Sequence, residues 1–163
     1  RDVIAWLEKQ NVIFDLGHMG RRSFFDAAAI TTRPLYVSHG NVAAVCDNVR
    51  NYTDEQLKLI AETDGVIGVF FAQTFVTGKG VPATIADVVA HITYLKNLIG
   101  IRHVAIGSDF GGIVTGGVEG LRSVEELPNL FKALQAAGYT ADELEQLAHR
   151  NAERVLEAHL GGQ

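Results

Sequence analysis

A single cysteine in 163 residues, Cys46, excludes an intrachain disulfide. It fits a reducing compartment and leans the reading toward the cytoplasm without fixing a location. No apolar run reaches the roughly 18 residues of a membrane span, and no signal-peptide pattern opens the chain. Positive charge is scarce: 14 Lys and Arg against 19 Asp and Glu leave a formal net charge of −5. Without a basic stripe to neutralise phosphates, a nucleic-acid partner is excluded. No GxSxG elbow, phosphate-binding loop, GxGxxG or HExxH occurs, so acyl-enzyme and nucleotide chemistry lack a foothold. Linkers, low-complexity tracts and strong internal repeats are missing as well, which leaves one α/β domain over residues 1–163. The chain opens on Arg1 rather than Met and reads as truncated or processed.

What is present is an alternation of short β-branched runs with longer helical patterns. Val12–Leu16, Leu35–Ser38, Val66–Phe71 and Val104–Gly107 read as strands, the second introduced by Pro34 at a position where a missing N–H is tolerated. Helical segments are expected at Asp2–Lys9, Arg22–Ala29, Asp54–Glu62, Thr84–Ile99, Val124–Ala137 and from Thr140 to about His159. Thr53 with Gln56, and Thr140 with Glu143, have capping-box spacing. Ile85, Val88, Val89, Ile92, Leu95 and Leu98 recur at a helical period, and Gly100 supplies the stop. Apolar strands alternating with helices imply a parallel sheet covered by helices. Hydrophobic residues at 47% allow a real core, but 163 residues fall short of the roughly 250 of an eight-unit barrel.

Two histidines and an aspartate fall at the ends of these strands: His18 in VIFDLGHMG, His39 in PLYVSHGN and Asp109 in HVAIGSDFGG. The C-terminal ends of neighbouring parallel strands open into one crevice, so groups far apart in sequence can meet there. Neutral imidazoles suit Zn²⁺, and a nearby carboxylate can take a proton from water on the metal. The residues alone therefore indicate a metal-dependent hydrolase, or part of one. Arg50 could hold a carboxylate with its guanidinium fork, or be a solvated loop cation. Asp15 lies inside an apolar run; side-chain alternation puts it on the face opposite His18, which favours a structural hydrogen bond. Asn51 reads as a turn residue. His91, His103, His149 and His159 read as structural or solvent-facing, and Cys46 as a small core residue. The Gly111–Gly120 stretch is a loop where binding segments of such folds sit.

The segments DLGHMG, PLYVSHG, NVRNYTDEQL, AIGSDFGG, GLRSVEELPNLFKALQAAGYTADEL and NAERVL occur in an order that resembles the C-terminal half of the membrane (renal) dipeptidase family of metallopeptidases. The spacings of 21 from His18 to His39 and 11 from His39 to Arg50 suit that family. The resemblance implies strands 5–8 of a metal-dependent (β/α)8 TIM barrel of the amidohydrolase type. It implies that His18 and His39 bind one zinc of a binuclear centre and that Arg50 holds the substrate carboxylate. It also places Asp109 near the bridging water and the substrate amino group, as proton shuttle in dipeptide hydrolysis. The family's His-x-Asp pair and bridging glutamate have no counterpart here, since no His-x-Asp occurs in the chain. Further departures are Gly17, Gly20, Gly40 and Gly111, where the family usually carries Ser or Asp.

Three readings stay open at this stage. The chain is the C-terminal part of a zinc metallodipeptidase, or a related hydrolase of lactones, phosphoesters or N-acyl amino acids, or a non-catalytic half-barrel. In each case open edges at the first and last strands imply pairing with an N-terminal half or self-association.

Overall fold

A computed structural model describes residues 2–113 and 116–161. Helix α1 (Asp2–Lys9) and α2 (Arg21–Ala28) precede β1 (Tyr36–Gly40), followed by α3 (Asp54–Glu62), β2 (Val66–Val69), α4 (Gln73–Val76) and α5 (Ile85–Ile99). A 3-10 turn at Ile101–His103 leads into β3 (Val104–Ile106). The chain then continues through a 3-10 turn at Val124–Glu126 into α6 (Leu127–Ala136), α7 (Ala141–Glu145) and α8 (Asn151–Leu160). The sheet is parallel in the order β1-β2-β3.

Local chemistry accounts for most of these boundaries. Thr53 and Gln56 form a reciprocal capping box at the start of α3, and Thr140 and Glu143 form another at α7. Gly100 ends α5 with φ at 85°, a backbone angle open to glycine. Pro128 sits in the first turn of α6, where its missing N–H costs nothing. The sheet is covered on both faces. Val37, Ile67, Val69 and Val104 join one cluster with Leu57 and Ile60 of α3 and Ile92 and Leu95 of α5; Val66 and Ala105 meet Val155 of α8.

The structure departs from expectation in several places: β2 stops at Val69 rather than Phe71, and the short α4 was not expected. Val12–Leu16 is not a strand: only Asp15 bridges to Tyr36, with the Leu16 N–H donating to the Tyr36 carbonyl at 2.9 Å. The chain then turns at once, closed by Met19 N–H to the Leu16 carbonyl, so no second pair forms. Glu125 and Glu126 belong to a 3-10 turn rather than to one helix over Val124–Ala137. The final helix is interrupted by a π-helical turn at Gln146–Arg150, which inserts a residue where Arg150 reaches back to Asp142 at 2.7 Å.

One irregularity matters for the site. Tyr36 and Val37 pair with Val66 and Ile67, but Gly40 pairs with Val69, so β1 carries one extra residue between Val37 and Gly40. Such a bulge re-aims side chains locally. It falls on Ser38 and His39.

Candidate metal and substrate site

The bulge turns adjacent side chains toward one another. Ser38 Oγ lies 2.8 Å from His39 Nδ1, a contact that strict alternation along a flat strand would forbid. His39 thus sits inside the C-terminal part of β1. Its Nε2 points at His18 Nε2, 2.8 Å away, with ring centroids 4.8 Å apart. His18 gets there from the turn after Leu16, with φ at +62°. Asp109, three residues past β3, also has positive φ, +57°. Left-handed backbone at non-glycine residues is uncommon and costs energy. Two of the four described residues that adopt it are thus candidate site residues.

Arg50 reaches the same place. Its Nη1 contacts His18 Nδ1, and its guanidinium carbon lies 5.6 Å from the centroid of Phe75. Phe75 stacks on Phe70 at 5.2 Å, and Phe70 meets the His39 ring edge-on at 5.1 Å. An aromatic floor therefore links the cation to the imidazole. Arg50 Nε is buried with no hydrogen-bond partner among the described residues, a donor left open for an acceptor. Asp109 is half-buried, its carboxylate folded over Gly112, and makes no side-chain hydrogen bond among the described residues. Burial, and then the adjacent His18, push the His39 pKa below the ordinary imidazole range against the opposing pull of Asp109 and Asp15. His39 is therefore neutral near pH 7, the form that can donate a lone pair.

Asp15 makes the structural hydrogen bonds expected of it but on the other face, and Asn51 closes the expected turn, its N–H donating to the Asn48 carbonyl at 2.9 Å, while doing more besides. Asp15 does not turn its back on the site, because alternation lapses where the strand never forms. Its Oδ1 accepts from Gly17 N–H at 2.8 Å and Ser38 N–H at 2.9 Å, and its Oδ2 accepts from Ser38 Oγ at 2.5 Å. Its contact is with the His39 side of the site. Asn51 is more than a turn residue: it is buried and donates from Nδ2 to the carbonyls of Cys46 at 2.8 Å and Phe75 at 2.9 Å, pinning the loop that carries Arg50.

Several contributors escaped the sequence reading. Asn41, buried after β1, exchanges two hydrogen bonds with the Phe70 backbone, 3.0 and 3.2 Å. Tyr52 donates to the Leu16 carbonyl at 3.0 Å, and burial raises its phenol pKa. Gly68 and Gly107 permit close approach: a Cβ on either would lie 2.2 Å from the Ser38 carbonyl oxygen. Only the habit of placing glycine where backbones crowd could have flagged them. Of the other histidines, His91 is buried, His103 bonds the Gly65 carbonyl, His149 pairs with Glu153, and His159 bonds the Pro34 carbonyl. The glycine-rich segment touches the scaffold through bridges of Gly117 to Ala72 and Glu119 to Thr84, while Val114 and Thr115 lie outside the described residues.

The donor set fits zinc in kind, since two imidazole nitrogens can approach one ion at about 2.0–2.1 Å each. It does not complete a site: among the described residues, no group of three or more His, Cys, Asp or Glu is placed to hold a metal.

Comparison with known proteins extends this picture. A model of the membrane dipeptidase family (peptidase family M19) matches residues 1–160. A Klebsiella pneumoniae protein described as uncharacterized, in the pqqA 5' region, is 39% identical over 95% of this chain and 58% of its own length. Dipeptidase aclJ of Aspergillus oryzae is 33% identical over 94% of this chain and 36% of its own. Among solved structures, dipeptidase AC, a metallopeptidase of family M19, matches with a TM-score of 0.93 and 32% identity, over 99% of this chain and 48% of that one. A Rhodobacter sphaeroides metallopeptidase, solved with a phosphinate mimic of the dipeptide L-Ala-D-Ala, matches with a TM-score of 0.91 and 32% identity, over 97% of this chain and 45% of that one. The chain spans about a third to three-fifths of the length of these relatives.

Proposed function

From the premise that the chain belongs to the membrane dipeptidase family, we propose that it carries part of the active site of a zinc-dependent dipeptidase. The observation that carries this reading is the convergence of His18 and His39 Nε2 to 2.8 Å, beside Arg50 and within the field of Asp109. When bound, zinc supplies Lewis-acid polarisation of the scissile carbonyl and lowers the pKa of a coordinated water to about 7.

The chain's own residues do the rest. His18 and His39 would hold the ion. Arg50, with an unpartnered Nε over the Phe75 ring, takes the C-terminal carboxylate of a dipeptide and so favours dipeptides over longer chains. Asp109 accepts the proton released from attacking water at its carboxylate and delivers it to the departing amine. Because two imidazoles do not complete a binuclear centre, the remaining ligands come from outside these residues, in an N-terminal half. The sheet edges fit that arrangement: β3 pairs only with β2 among the described residues, and the Asp15 segment makes a single bridge. Unpaired edges drive association with the complementary half or with a second copy.

The test is metal content and dipeptidase turnover, with and without added Zn²⁺ and with the N-terminal half supplied. Zinc retained by the parent chain and lost on His39→Ala supports the assignment. Unchanged metal content in that variant refutes it.

A further inference from the structure

Asp15 has no role in the mechanism above, yet its carboxylate gathers three hydrogen bonds beside His39. The direction of each bond follows from which atom owns a hydrogen. An ionised carboxylate only accepts, so the Ser38 hydroxyl spends its single hydrogen on Asp15 Oδ2 at 2.5 Å. Ser38 Oγ can then only accept from His39 Nδ1, 2.8 Å away, so that nitrogen carries the ring proton. His39 Nε2 is left bare, facing His18.

We infer that Asp15, acting through the Ser38 hydroxyl, is a positioning residue that fixes the His39 ring in the tautomer whose lone pair points into the site. The inference extends the zinc reading above, but the tautomer itself does not depend on metal. The β1 bulge brings Ser38 and His39 to the same side, and the turn at residue 17 packs closely on the relay, a Cβ there lying 3.0 Å from Ser38 Oγ and 3.1 Å from Asp15 Oδ2.

The decisive variant is Asp15→Asn. The two backbone N–H groups both use Oδ1, so an asparagine keeps that oxygen in place and puts its NH₂ where Oδ2 was. That NH₂ donates to Ser38, which must turn its own hydrogen onto His39 Nδ1. The ring proton is then driven to Nε2, the wrong nitrogen for a ligand, with the local backbone contacts preserved.

The experiment is long-range ¹H–¹⁵N correlation of the histidine rings in the metal-free chain, with zinc titration of the same samples. The parent is expected to show His39 protonated at Nδ1, and Asp15→Asn protonated at Nε2. Zinc affinity is expected to fall about 10–100-fold, the usual cost of losing an outer partner of a metal-bound histidine. Ser38→Ala is expected to weaken zinc binding, and Ser38→Thr, which keeps a hydroxyl, to restore it. A His39 tautomer unchanged by Asp15→Asn and by Ser38→Ala overturns the inference. If the parent takes up no zinc, the metal reading fails, while the ring spectra still decide the role of Asp15.

Discussion

His91 is the most exposed to a quantitative test, because all of its bonding is to backbone. Its Nδ1 accepts from Val42 N–H at 3.1 Å, and its Nε2 donates to the Val76 carbonyl at 3.0 Å. The ring thereby ties the chain just beyond His39 to the end of α4, with no exposed surface. His91→Phe fills the space but strands both backbone groups. Each buried, unpartnered group costs about 1–3 kcal/mol, so the loss is roughly 2–6 kcal/mol. That is a large share of the roughly 5–15 kcal/mol that holds a domain together, and at about 2–4 °C per kcal/mol the melting temperature falls by about 4–24 °C. A second signature is pH. Nδ1 can accept from Val42 only when unprotonated, and burial pushes the His91 pKa below its ordinary 6.5. The unfolded chain therefore binds the proton first. The contribution is complete above pH 6.5 and is lost progressively as pH falls below it, by at most about 1.4 kcal/mol between pH 7.5 and 5.5. Urea unfolding of parent and variant at both pH values measures the two effects. His39 is shifted in the same direction, so the parent's slope is reduced in His91→Phe rather than abolished. A variant as stable as the parent at pH 7.5 refutes the bonding assignment, and an unchanged slope refutes the pKa shift.

Asn51→Ala removes both carbonyl contacts of a buried amide and is expected to cost about 1–3 kcal/mol by denaturant unfolding. It should also loosen Arg50, read as faster hydrogen exchange at residues 48–52. Gly68→Ala places a Cβ 2.2 Å from the Ser38 carbonyl oxygen, so β1 must move. The expected result is a loss of about 1–3 kcal/mol and a displaced His39 ring resonance, and a neutral outcome in both would show that the strands are not so close. Asp64 accepts from Arg102 at 2.8 and 2.9 Å and pairs with Arg154 at 2.9 Å, and the Arg102 hydrogen bond lowers its pKa. Its contribution is present above pH 3.8 and lost as pH falls through that range. Because the carboxylate is half exposed, Asp64→Asn is expected to cost no more than about 1 kcal/mol near neutrality, and the two proteins should converge in acid.

The features readable from sequence are those set by near neighbours. Thr53 and Gln56 cap α3 because both partners lie within one turn, and Gly100 stops α5 through its own φ. The strand signals at Val66 and Val104 survive because β-branched residues buried on both faces leave no polar alternative. The ordered motifs of the family resemblance also singled out His18, His39 and Arg50, whose side chains lie in contact.

What escaped depends on contacts across the fold. The alternation rule put Asp15 opposite His18 because it assumes a continuous strand, whereas residue 15 holds one bridge before a turn led by a left-handed His18. The same rule would separate Ser38 from His39, yet an inserted residue in β1 puts them in contact. Both failures occur within a few ångströms of the candidate metal ligands. A regular sheet sends successive side chains to opposite faces, so it cannot bring a carboxylate, a hydroxyl and an imidazole from neighbouring positions to one point. Gathering them requires breaking the pattern. The irregularities that hide Asp15 and Ser38 from the sequence are thus the means by which they reach His39.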